Sequence, residues 1–133
     1  MKIALLGYGT VGRGVDQIIR DRVGSVEVAR ILELPDRLTD PRMTSDYEQI
    51  VQDPDIDLVV ECMGGVEPAH TFIMKALASG KHVVTSNKAV IAAHFAEFAE
   101  AALYNRVSLF IEASVGGGIP WIAGIEKARR IDE

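Results

Sequence analysis

Short apolar runs alternate with longer segments of helical periodicity along most of the chain. The runs have the length of β-strands, and they lie at residues 2–6, 26–32, 57–62, 82–85 and 107–112. The stretches 58–62 and 82–85 are nearly all apolar, which is typical of strands buried on both faces of a parallel sheet.

The segments between these runs have the spacing of helices. Val11, Val15, Ile18 and Ile19 place apolar side chains at offsets of four, seven and eight residues, which is one face of a helix. Further helices are predicted at about 46–53, between Pro68 and Gly80, and over about 89–104.

Two segments break this alternation. Residues 34–45 carry prolines among charged residues and are predicted to be a loop. Three glycines and Pro120 interrupt the chain before a last amphipathic stretch that runs to Glu133. The remaining βαβ units, with right-handed crossovers, predict an α/β fold with a parallel sheet covered by helices on both faces.

Composition narrows the possible functions only slightly. The 133 residues are enough for one domain with a real core, and 48% apolar with 25% charged residues indicates a soluble globular protein. A net charge of −5 and the lack of a basic run make nucleic acid and anionic membrane poor partners. No apolar stretch approaches the roughly 20 residues that cross a bilayer. The single cysteine, Cys62, favours a cytoplasmic location.

A glycine motif supplies the first candidate site. Gly7, Gly9 and Gly12 form G-x-G-x-x-G directly after the first strand and open the first helix. Gly7 permits the tight turn, Gly9 lets the backbone approach a pyrophosphate, and Gly12 lets the helix pack against the strand. In this context the motif predicts a Rossmann-type, doubly wound dinucleotide-binding domain over residues 1–133, with phosphates at the helix N-terminus. A glycine-rich turn that binds nothing is the alternative.

Glu33 is the candidate for binding the adenosine ribose. It lies 21 residues after Gly12, close to the spacing of a ribose-binding acid. Its carboxylate favours NAD because it accepts from the ribose hydroxyls and repels a 2′-phosphate. Arg37 lies close by and could pair with that phosphate, so NADP stays possible, and both residues could also be solvated loop charges.

Three further polar or glycine-rich segments follow predicted strands: Gly64-Gly65, Thr85-Ser86-Asn87-Lys88 and Ser114–Gly118. The carboxyl ends of parallel strands share one edge, so these loops are expected to converge on one crevice. Lys88 is predicted to point into it, where an ammonium can hold a carbonyl oxygen or pass a proton. A surface lysine near a helix start explains the same spacing equally well.

The histidines do not predict a zinc site. His70, His82 and His94 lie on different elements and have neither an HExxH spacing nor a cysteine partner. They are expected to be satisfied core or surface residues. Cys62, inside an apolar strand, is expected to be inert.

Several segments together resemble the nucleotide-binding domain of homoserine dehydrogenase. They are LLGYGTVGRGV, DLVVECMGGVEPA, GKHVVTSNKAVIA and IEASVGGGIP, in that order and with matching spacing over nearly the whole chain. The resemblance implies reduction of aspartate 4-semialdehyde to homoserine with NAD(P)H, on the route to threonine and methionine. It also implies a homodimer for the full-length protein.

The resemblance assigns roles to matching positions. Lys88 matches a catalytic lysine near nicotinamide and substrate. The residues that match cofactor-binding positions are Gly7, Gly9, Thr10, Val11, Gly12, Gly64, Thr85 and Ser86. The residues that match a monovalent cation site, for sodium or a similar ion, are Glu112, Val115, Gly117 and Ile119. Oxygen ligands on a glycine-rich turn suit a hard cation of this kind.

The sequence departs from the family at two places. Glu33-Leu34 stands where many relatives have a basic residue, which puts NADP use in doubt. The family continues into a substrate-binding and dimerising domain beyond the point where this sequence ends, so the chain is expected to bind NAD(H) and to turn over poorly alone. An aspartate dehydrogenase domain and a stand-alone NAD(P)-binding regulatory module remain the alternatives.

Overall fold

A parallel six-stranded sheet forms the centre of the computed structural model, which describes residues 1–22 and 24–112. The strands are β1 (Lys2–Leu6), β2 (Glu27–Leu32), β3 (Met43–Thr44), β4 (Ile56–Glu61), β5 (His82–Thr85) and β6 (Leu109–Ile111). They lie side by side in the order β3-β2-β1-β4-β5-β6, and every neighbouring pair is parallel. The order reverses direction between β1 and β4, so a crevice opens there at the carboxyl ends of the strands.

Helices cover both faces of this sheet, as the sequence predicts. They are α1 (Thr10–Arg22), α2 (Glu48–Val51), α3 (Ala69–Ala78) and α4 (Lys88–Tyr104). Val15 and Ile19 of α1 pack in one apolar cluster with alternate residues of the strands. The other cluster joins the opposite strand residues to the other three helices, with Phe98 of α4 fully buried in it. The doubly wound α/β fold is therefore confirmed.

The segment between β2 and β4 differs from the prediction. Residues 34–45 were expected to be loop, but they contain a 3₁₀ turn at Pro35–Arg37 and the edge strand β3. The prediction was wrong because β3 is two residues long and too short to show alternation. It pairs with β2 through Ile31 and Leu32. The helix expected at 46–53 shrinks to α2, and the amphipathic stretch towards Glu133 lies outside the described residues.

Candidate functional site at the carboxyl edge of the sheet

Two cavities lie at the carboxyl edge of the sheet, and six of the predicted site residues line them: Gly7, Gly9, Glu33, Ser86, Lys88 and Glu112. The first cavity, of about 430 Å³, is lined by Gly7, Tyr8, Gly9, Leu32, Glu33, Leu34, Pro35, Ser45, Cys62, Met63, Pro68 and Phe72. The second, of about 350 Å³, is lined by Ser86, Asn87, Lys88, Ile91, Ala92, Ile111 and Glu112. The loop after β4 contacts both, since Met63 lines the first cavity and the Gly65 carbonyl accepts a 2.6 Å hydrogen bond from Asn87 Nδ2.

Glycine is required at two positions of the turn after β1. Gly7 has a φ of +99°, in the region that L side chains rarely adopt. Gly12 is buried in α1, and a Cβ there would overlap the Gly7 carbonyl oxygen. Gly9 has no atom within 4 Å of an added Cβ, so its backbone borders open space. Thr10 and Val11 are exposed in the first turn of α1, beside the free backbone N–H groups of the helix start.

Glu33 is fixed by two backbone donors at the rim of the first cavity. Its Oε2 accepts from the Tyr8 N–H at 3.1 Å, and its Oε1 accepts from the Leu34 N–H at 2.8 Å. The turn after β1 and the end of β2 are thus tied together by one carboxylate. Arg37 lies exposed on the 3₁₀ turn that follows.

The side chain of Tyr8, in the turn after β1, is anchored to α1. Its hydroxyl donates to Asp16 Oδ2 at 2.6 Å, and this hydrogen bond raises the pKa of Tyr8. Asp16 is buried on α1 and also accepts two hydrogen bonds from Arg42, at 3.1 and 2.9 Å. Burial acts to raise the pKa of Asp16, but the hydrogen bonds from Arg42 and Tyr8 outweigh it and the pKa is lowered. No local pattern predicts this network, because Arg42 lies 26 residues from Asp16 in the chain.

A buried acid, Glu61, organises the loop between the cavities. Its side chain is 1% exposed; Oε2 accepts from the Met63 and Gly64 N–H groups at 2.8 and 3.0 Å. Oε1 accepts from the Thr85 hydroxyl at 2.7 Å. Sequence reasoning did not single out Glu61, although an acid at the end of an otherwise apolar strand was a usable signal.

Gly64 and Thr85, two of the predicted cofactor-binding residues, and Cys62 have different surroundings. Gly64 has a φ of +78° in the loop held by Glu61. Thr85 is fully buried, and its hydroxyl also accepts from the Asn87 N–H at 3.0 Å, so its side chain is used within the fold. Cys62 is half-buried, and desolvation raises the pKa of its thiol.

Lys88 begins α4 at the second cavity. Asn87 caps this helix, with its side-chain oxygen accepting from the Val90 N–H at 3.2 Å. Lys88 is exposed, and Ser86 lies beside it in the cavity lining. Glu112, also in the lining, donates its N–H to the Thr85 carbonyl at 2.9 Å. The other predicted cation ligands, Val115, Gly117 and Ile119, lie outside the described residues.

A family model described as the NAD binding domain of homoserine dehydrogenase matches residues 7–112, which include both cavities. The chain belongs to this family. A homoserine dehydrogenase of Synechocystis is 46% identical over 96% of the chain, and one of Bacillus subtilis is 35% identical over 99%. The chain spans about a third of these relatives, 32% and 34% of their respective lengths.

Solved structures agree with the family assignment. A homoserine dehydrogenase from Thiobacillus denitrificans matches 96% of the chain and 32% of its own, with a TM-score of 0.80 and 36% identity. A hyperthermophilic archaeal homoserine dehydrogenase in complex with NADPH matches 92% of the chain and 46% of its own, with a TM-score of 0.72 and 26% identity. None of the helices in the described ranges is long and apolar enough to span a membrane.

Proposed function

We propose that residues 1–133 form the dinucleotide-binding domain of a homoserine dehydrogenase. The observation that carries the proposal is the first cavity, where Glu33 and the glycine turn that leads into α1 line one open space. Pyrophosphate oxygens fit the exposed N–H groups at the start of α1. Glu33 fits the two hydroxyls of the adenosine ribose. The open space beside Gly9 leaves room for the phosphates, and a side chain at this position would fill that space.

In the full protein, the reaction that we propose is the interconversion of aspartate 4-semialdehyde and homoserine. When bound, the cofactor supplies or takes up the hydride at the aldehyde carbon. Lys88 donates a hydrogen bond or a proton to the reacting oxygen from the second cavity. Gly64 follows β4, Thr85 ends β5 and Ser86 follows it, at the edge of the sheet where the cofactor would extend from one cavity to the other. The proposal for the full protein includes a homodimer and a sodium-class cation at Glu112, Val115, Gly117 and Ile119.

We further propose that NAD is preferred to NADP. Both oxygens of Glu33 already accept backbone hydrogen bonds, so its negative charge is held at the place where a 2′-phosphate would lie. The NADPH complex of the archaeal relative makes this preference worth a direct test, because it shows a family member that binds the phosphorylated form.

The test is a side-by-side calorimetric titration of the chain with NADH and NADPH. We expect NADH to bind at least about tenfold more tightly, and Glu33→Gln to shrink this ratio to near one. Asp36→Asn is the matched control, because Asp36 is an exposed acid three residues further along, and it should leave the ratio unchanged. Equal or tighter binding of NADPH by the unchanged chain would reverse the preference, while binding of neither would refute the dinucleotide proposal.

A further inference from the structure

Two histidines that are 24 residues apart in the sequence stack face to face between α3 and α4. The ring centroids of His70 and His94 are 3.7 Å apart and their planes differ by 7°. His70 Nε2 lies 2.9 Å from Glu97 Oε1, and His94 Nδ1 lies 3.4 Å from Glu97 Oε2. The sequence spacing did not predict this cluster, because crossover packing of the two helices brings it together.

We propose that His70, His94 and Glu97 form a binding site for a divalent cation of the zinc class. Each residue offers one ligand atom, and these atoms all lie within 4.8 Å of one another. Two imidazole nitrogens and a carboxylate oxygen are the donor set of a three-ligand zinc site with one open position. The three residues lie on α3 and α4, and none of them lines either of the two cavities.

The distance between the ligand atoms of His70 and Glu97 is close to that in a zinc site, whereas the ring of His94 has to move. Ligand atoms around a tetrahedral zinc, with bonds of about 2.0 Å, are about 3.3 Å apart. His70 Nε2 and Glu97 Oε1, at 2.9 Å, therefore open by a few tenths of an ångström to admit the ion. The ring of His94 has to turn out of the stack, because the nitrogen lone pairs of two parallel rings do not converge on one point.

The surroundings of His70 resemble those of a metal-bound imidazole. Its Nδ1 lies 2.9 Å from Glu67 Oε2, and the other oxygen of Glu67 accepts from the Thr71 hydroxyl at 2.8 Å. A carboxylate on the far nitrogen fixes the tautomer and directs Nε2 towards a metal. Hydrogen bonds to Glu97 and Glu67 raise the pKa of His70, so a zinc ion at Nε2 would take the place of a proton and release it.

The cluster is reachable from solvent yet backed by apolar packing. His70 keeps 19% and His94 27% of the side-chain exposure, and the buried ring of Phe98 lies 5.7 and 6.1 Å from the two imidazoles. An ion can therefore enter from water and be partly shielded once bound. Because His70 belongs to α3 and the other two ligands to α4, a bound ion would link these helices.

The test is calorimetric titration of the chelator-treated chain with zinc chloride at pH 8, together with thermal melting. We expect one zinc per chain and a melting temperature that rises with zinc concentration. His70→Ala, His94→Ala and Glu97→Gln should each weaken zinc binding at least about tenfold, and Glu67→Gln, which orients His70, should weaken it less.

Glu100→Gln is the matched control, because it removes the same charge from an exposed position of the same helix. It should leave zinc affinity unchanged. The Glu97→Gln exchange keeps the shape of an exposed side chain, so it tests the site without relying on variants that fold poorly. Undiminished zinc binding by the His70→Ala/His94→Ala double variant, or no melting shift in the unchanged chain, would overturn the proposal.

Discussion

The two cavities at the carboxyl edge of the sheet are built in different ways. The first combines a glycine turn and a carboxylate held by two N–H groups with a largely apolar lining. The second is lined by the start of α4 and the end of β6, with Lys88 exposed at its rim. The first cavity therefore has the fixed geometry of a binding site, while the second offers an exposed charge whose effect depends on what lies opposite it.

The first cavity is therefore expected to determine the affinity for the cofactor, and Lys88 at the second cavity the rate of the chemical step. A cavity with a fixed lining contributes to binding before any reaction starts, whereas an exposed ammonium stabilises mainly the charge that develops in the transition state. Changes at the two places should accordingly affect different kinetic quantities.

The largest effect is expected at Lys88. In the full-length enzyme, Lys88→Ala should lower kcat by about 100-fold or more, the usual contribution of a positioned acid or charge, because the reacting oxygen loses its donor. The dissociation constant for NADH should stay within about twofold of the value for the unchanged enzyme, which is far less than the tenfold change that 1.4 kcal/mol would produce. Steady-state kinetics and a separate NADH titration measure the two quantities.

Lys75→Ala provides the control for this prediction. Lys75 is an exposed lysine on α3 that pairs with Glu48 at 3.5 Å and lines neither cavity. It should leave kcat unchanged. An unaltered kcat in Lys88→Ala would remove this residue from the mechanism, and a matching loss of NADH affinity would erase the distinction between the cavities.

The next effect is expected at Gly12. In Gly12→Ala the new Cβ meets the Gly7 carbonyl oxygen, so α1 has to move away from the turn. We expect a loss of about 2–3 kcal/mol in the free energy of unfolding, at the upper end for overpacking, measured by urea denaturation. NADH binding should weaken with it, because the turn and the helix start are what the phosphates meet.

Gly14→Ala is the matched control two residues further along α1. An added Cβ there has no atom within 4 Å, and alanine is the better helix former, so stability should rise by about 0.5–1 kcal/mol. Equal loss of stability in both variants would show that the helix, and not its contact with the turn, is sensitive.

The sequence predicted the features that a local pattern of residues determines and missed most of those that depend on contacts between distant elements. Gly7, Gly9 and Gly12 were predictable because they recur at the spacing of a known motif, and backbone geometry demands glycine at Gly7 and Gly12. The apolar strands were predictable because both of their faces are buried. β3 was missed because two residues carry no period. Glu61 was missed although an acid at the end of an apolar strand was a local signal. The pair of His70 with His94 was missed because the two rings come from different helices, 24 residues apart, and no local pattern encodes their contact.

The smallest of these effects is expected at Glu61, which connects the two cavities. In Glu61→Gln the amide oxygen can still accept from the Met63 and Gly64 N–H groups, but the amide nitrogen then faces the Thr85 hydroxyl, which loses its acceptor. We expect a loss of about 1–2 kcal/mol in the free energy of unfolding, since hydrogen bonds to a buried charge are replaced by weaker ones. NADH affinity and, in the full-length enzyme, kcat should both fall, because loops of both cavities depend on this carboxylate.

Thr85→Val should show a coupling of at least about 0.5 kcal/mol with Glu61→Gln in a double-mutant cycle. Additive effects of the two changes would mean that the hydrogen bond between them does not tie the cavities together.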